Sequence, residues 1–109
     1  MKIALFFEDD MFCRIDDTVE NRQLKVLILN IDDDAGSKTE ITTEYISNQN
    51  INYLSLWLLS SRISRILVSG ISGNVRKLFE KMSISIKIVY EQQLNSLLNN
   101  DKMKINDLI

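Results

Sequence analysis

A chain of 109 residues with 45% hydrophobic side chains has the length and apolar content of one folded domain, and residues 1–109 read as that single domain. Its 13 basic and 15 acidic side chains leave a net charge of −2 and form no basic stripe, which argues against a nucleic-acid partner. With no histidine and one cysteine, Cys13, the chain cannot form a histidine-dependent triad, a Cys–His dyad, a Cys/His zinc site or an internal disulfide.

Residues 2–7 are a continuous apolar run, the pattern of a central strand buried on both faces. Residues 8–20 are polar and acidic, a loop with room for a short extended piece near residues 12–15. Residues 24–31 form a second apolar strand, and Asp32-Asp33-Asp34-Ala35-Gly36-Ser37 is a turn by composition. Residues 38–46 alternate apolar or Thr with charged positions, a third strand with one wet face, so strands two and three form a hairpin.

Ser47-Asn48-Gln49-Asn50 supplies N-cap candidates for a helix over 51–62. Ile51, Leu54, Leu56, Trp57, Leu58 and Leu59 wrap most of its circumference, which predicts deep packing. A fourth strand follows at 64–69. Ser72 then caps a helix whose apolar residues Val75, Leu78, Phe79 and Met82 recur at helical spacing. Residues 84–90 alternate as a fifth, edge strand with Lys87 guarding it. A short helix is expected at 91–99, with Leu94, Leu97 and Leu98 on one side, before a polar, frayed end. The order β-β-β-α-β-α-β-α predicts a mixed five-stranded sheet with strand two antiparallel and helices on its faces.

No apolar run reaches the roughly 18 residues a bilayer requires. The opening apolar stretch is short for a signal peptide and runs into Glu8-Asp9-Asp10. With a lone cysteine, the expectation is a cytoplasmic protein without a membrane partner.

Met1-Lys2-Ile3-Ala4 at the start and Val68-Ser69-Gly70-Ile71-Ser72-Gly73-Asn74-Val75-Arg76 at the fourth strand resemble the dinitrogenase iron–molybdenum cofactor biosynthesis family. Asp9-Asp10 sit where that family often has an acidic pair. Ser69-Gly70-Ile71-Ser72 matches its glycine turn with two Gly-to-Ser changes, and residues 82–86 resemble its step into the last strand. The resemblance spans roughly residues 1–98. It implies a ribonuclease-H-like three-layer α/β sandwich that binds or carries an iron–sulfur or iron–molybdenum cofactor precursor and works with a cofactor-assembly partner. The family's His-Phe-Gly-like element after strand one is replaced here by Met11-Phe12-Cys13-Arg14-Ile15-Asp16, a divergence toward loss of cluster binding.

Strands one, three, four and five share a direction, so residues 8–18, 47–50, 70–74 and 90–92 collect at one sheet edge, where open α/β sheets bind ligands. The Asp32-Asp33-Asp34 turn falls at the opposite end and reads as a solvated hairpin tip. Three sites compete at the ligand edge. The backbone amides of Gly70, Ile71, Ser72, Gly73 and Asn74 open a helix and suit an anion or cofactor, with Asp9 and Asp10 nearby; the glycines equally suit a plain tight turn. Cys13 offers one thiolate to a shared metal site, or is an inert buried cysteine. Glu8, Asp9, Asp10, Asp16 and Asp17 offer oxygens to Mg²⁺, or serve only to solvate the loop.

The leading expectation is a non-enzymatic binding or carrier domain, monomeric or weakly homodimeric through residues 84–90 or 38–46. A Mg²⁺-dependent nuclease-like enzyme and an interaction domain without a small ligand stay open as alternatives.

Overall fold

The computed structural model describes residues 1–9, 11–16, 22–31 and 39–90. The first strand, β1 (Lys2–Glu8), carries Ile3, Ala4, Leu5 and Phe6 with no exposed surface. Because side chains alternate along a strand, Ala4 and Phe6 enter one core cluster while Ile3 and Leu5 enter another. β1 is therefore buried on both faces, as its unbroken apolar run requires.

A two-residue strand, β2 (Met11–Phe12), folds back on the end of β1, pairing Phe7 with Phe12 and Glu8 with Met11. The hairpin is β3 (Arg22–Ile31) and β4 (Thr39–Asn48), in register from Arg22 opposite Asn48 to Ile31 opposite Thr39. β3 begins two residues before the apolar run and β4 ends two residues after the alternation. The added residues are polar, but ladder hydrogen bonds hold them in the sheet.

α1 (Ile51–Ser60) connects β4 to β5 (Arg65–Val68), and α2 (Gly73–Lys81) connects β5 to β6 (Ser85–Ile88). The sheet order is β4-β3-β1-β5-β6, with β2 attached to β1 off this path. β3 is antiparallel to both β1 and β4, whereas β5 is parallel to β1 and to β6. This is the mixed α/β sheet expected from the element order, with β2 as a sixth strand.

Both described helices lie on one face. Leu54 and Leu58 of α1 and Val75 and Phe79 of α2 join Ala4, Phe6, Val26 and Ile66 in a single cluster. The other face carries Ile3, Leu5, Leu29, Ile31, Leu67 and Val89. The helix expected at 91–99 and the turn at 32–37 lie outside the described residues.

Two expectations are corrected. α1 is not buried all round: Leu54, Ser55 and Leu58 are buried, while Leu56 is 66% and Leu59 49% exposed. A ten-residue helix lying on a sheet buries one stripe, whatever its composition elsewhere. Its start was legible: Asn50 is the N-cap, and its side-chain oxygen accepts from the Tyr53 N–H at 2.9 Å. The last strand stops at Ile88, and it is Val89 that turns into the second core while Ile88 and Tyr90 stay exposed.

Candidate functional site

In this sheet the chain runs outward in opposite directions from β1 and β5. The crevice above the carboxyl ends of those two strands is where open α/β sheets receive ligands. Here the chain itself enters it. After β2, the Cys13 N–H donates to the Phe6 carbonyl at 3.0 Å. The Cys13 carbonyl accepts from the Ser69 N–H at 3.3 Å, the Ile15 N–H donates to the Gly70 carbonyl at 3.1 Å, and the Ile15 carbonyl accepts from the Ser72 N–H at 3.2 Å. Ile15 and Ile71 form a parallel bridge, and the Ile15 side chain is fully buried in the core beneath the helices.

The turn that leads into this segment is tight. Asp9 has φ of 50°, the left-handed region that a short carboxylate side chain tolerates better than most. Phe7 and Phe12 pack on the second face with ring centroids 5.7 Å apart and planes tilted by 54°.

Two ion pairs flank the crevice. Arg22 grips both carboxylate oxygens of Glu8, its second nitrogen at 3.2 Å, and the bond to Glu8 raises the guanidinium pKa further. Arg14 approaches Asp16 at 3.4 Å and lies over Gly70, where an added Cβ would meet its guanidinium at 3.0 Å. Arg22 was not among the residues singled out from the sequence. The signal for it appears once β1 and β3 are recognised as antiparallel partners, because the start of β3 then returns beside the acidic end of β1.

The predicted site residues are thus divided. Gly70 is buried, Ile71 and Ser72 are half-buried against residues 13–15, and Gly73 and Asn74 are exposed at the head of α2. Two of the corner's amides, those of Ser69 and Ser72, are already occupied by the chain's own carbonyls. Asp9 borders a different place, a cleft of about 220 Å³ lined with Gln23, Leu24, Lys25 and Tyr45. Asp10 and Asp17 lie outside the described residues.

Cys13 is 7% exposed, and burial pushes its thiol pKa up to about 11, with the Arg22 charge opposing only in part. Burial thus disfavours the thiolate that a metal or cluster ligand must supply. Among the described residues no group of three or more His, Cys, Asp or Glu side chains could hold a metal ion. This donor set does not fit an iron–sulfur group, which requires about four protein ligands.

No model of a known protein family matches this chain, and no curated protein matches it. Among solved structures it is similar to one described as "Crystal structure of PH0822", with a TM-score of 0.61, 15% identity, and coverage of 90% of this chain and 86% of that one. At that identity the likeness shows the fold alone. Among the described residues no helix is long and apolar enough to cross a membrane.

Proposed function

We propose that this chain is a small non-enzymatic binding domain of the iron–molybdenum cofactor biosynthesis type that has lost cluster carriage and works through protein contacts in the cytoplasm. One observation carries the reading: the carbonyls of Cys13 and Ile15 occupy the amides of Ser69 and Ser72. The family's glycine turn is thus retained as a joint between two loops. The burial of Cys13 supports the same reading.

A Mg²⁺-dependent nuclease is less well supported. Such a site needs carboxylates from several strands converging on one ion. Glu8 already holds Arg22, and Asp9 borders a cleft whose other lining residues come from β3 and β4.

The test is anaerobic reconstitution of the full chain with ferrous iron and sulfide, read by visible absorption. A colourless product is expected. A chromophore that Cys13→Ala abolishes would overturn the proposal, as would a stoichiometric Mg²⁺ heat signal in calorimetry that Asp9→Asn removes.

A further inference from the structure

β4 forms an outer edge of the sheet among the described residues. β4 runs ten residues, Thr39–Asn48, and is the terminal strand of the sheet on that side. The side chains of residues 40–45 are exposed on both faces, with Ile41 53% and Tyr45 77% open. Edge strands of soluble proteins are normally shortened, bulged, or guarded by Lys or Pro. This one has no Lys, no Arg and no Pro, and it pairs with β3 residue for residue without a bulge. The opposite edge, β6 (Ser85–Ile88), is only four residues long and carries Lys87.

We propose that this edge pairs with the same edge of a second copy, antiparallel about a two-fold axis through Thr43, giving a homodimer with one continuous sheet. The side chains select both the partner and the register. A two-fold axis perpendicular to the sheet keeps odd residues facing odd and even facing even. An axis at Thr42 sets Glu40 against Glu44 twice, and an axis at Glu44 sets the two Glu44 carboxylates against each other. Like charges directly opposite destabilise a pair of strands.

With the axis at Thr43, Ile41 faces Tyr45 on both sides of it, Thr43 faces Thr43, Thr42 faces Glu44, and residues 39–47 all pair. Ile41–Tyr45 is a β-branched–aromatic pair, a favourable cross-strand combination. Glu40 and Glu44 exclude the registers centred on Thr42 and Glu44, and axes at Ile41 or Tyr45 avoid the repulsion but pair only residues 39–43 or 42–48, so the axis at Thr43 gives the longest repulsion-free ladder. The surface is complementary to itself, which is the requirement of an isologous dimer. An interface of one strand pair is small, so the dimer is a weak one that forms at micromolar concentrations and above.

Sedimentation of the full chain from about 1 to 300 μM tests this, with a concentration-dependent dimer expected. Thr43→Lys places two ammonium groups face to face and should raise the dissociation constant at least about tenfold, with an unchanged circular dichroism spectrum. Thr43→Cys should form a disulfide-linked dimer under mild oxidation, because the two thiols meet on the axis, while Thr42→Cys should not. The native Cys13 is buried and stays out of the reaction. Leu56→Glu, on the exposed side of α1, should leave the dimer intact.

A wild type that stays monomeric throughout the range overturns the proposal, even if the edge then captures an extended peptide of another protein. So does a dimer indifferent to Thr43→Lys, equal cross-linking at positions 42 and 43, or dispersal by Leu56→Glu. None of these outcomes depends on whether iron and sulfide are taken up, so this inference and the proposed function fail separately.

Discussion

The interior of the sheet at β1–β5 and its outer edge at β4 handle backbone polarity in opposite ways. At the β1–β5 crevice, Cys13 bonds to Phe6 of β1 and to Ser69, and Ile15 bonds to Gly70 and Ser72, so the chain's own backbone enters the place where the topology offers a ligand site. At β4, one side of the strand is bonded to β3 and the side chains at residues 40–45 remain in solvent. Backbone groups buried in the crevice must find partners, and the chain supplies its own. Backbone groups at a wet edge are satisfied by water and can be exchanged for another strand. At the crevice the Ser69 and Ser72 amides already have partners within the chain, whereas the edge of β4 is open to strand addition.

Mutations should separate the two regions by size of effect. Ile15→Ala empties a fully buried position in the crevice and should cost about 2–5 kcal/mol of unfolding free energy in urea denaturation. A loss below about 1 kcal/mol would show that this segment is not packed as described. Arg22→Ala removes a partly exposed two-pronged ion pair and should cost about 1 kcal/mol, with Arg22→Lys intermediate because a lysine cannot grip both oxygens. Gly73→Ala should be neutral or stabilising by up to about 1 kcal/mol, since nothing lies within 4 Å of an added Cβ and α2 begins there. Tyr45→Ala on the edge should change monomer stability by no more than about 0.5 kcal/mol while weakening self-association.

Cys13 gives a pH readout of the closed crevice. Its native pKa is raised to about 11 from an unfolded value near 9.0. The unfolded chain therefore loses the thiol proton first, so this contribution to stability is fully present below pH 9 and is lost as pH rises toward 11. Cys13→Ala should flatten that alkaline decline relative to the wild type, as read by denaturation at a series of pH values. Native Cys13 should also react slowly with iodoacetamide at pH 8, and faster once unfolded.

Much of the architecture was legible from periodicity alone. The apolar run at 2–7 and the spacing of Val75, Leu78, Phe79 and Met82 name a buried strand and an amphipathic helix because burial and backbone geometry act locally on them. The strand directions followed from right-handed crossovers through the helices and from the central hairpin. The exposure of Leu56 and Leu59 was not legible, because composition says how apolar a helix is and not how much of it the sheet can cover. β2 was legible only as a short extended piece near residues 12–15; which strands it would pair with was not, since two residues have no period.

The sequence by itself settled the order of the five longer strands and the two helices between them, the absence of histidine chemistry and the place where a helix begins after a glycine turn. Only the tertiary structure decided what that turn touches. Two of its amides, those of Ser69 and Ser72, are taken by the carbonyls of Cys13 and Ile15, residues more than fifty positions earlier in the chain. A hydrogen-bond donor's availability depends on what folds against it, and no local pattern encodes a contact formed by distant segments of the chain.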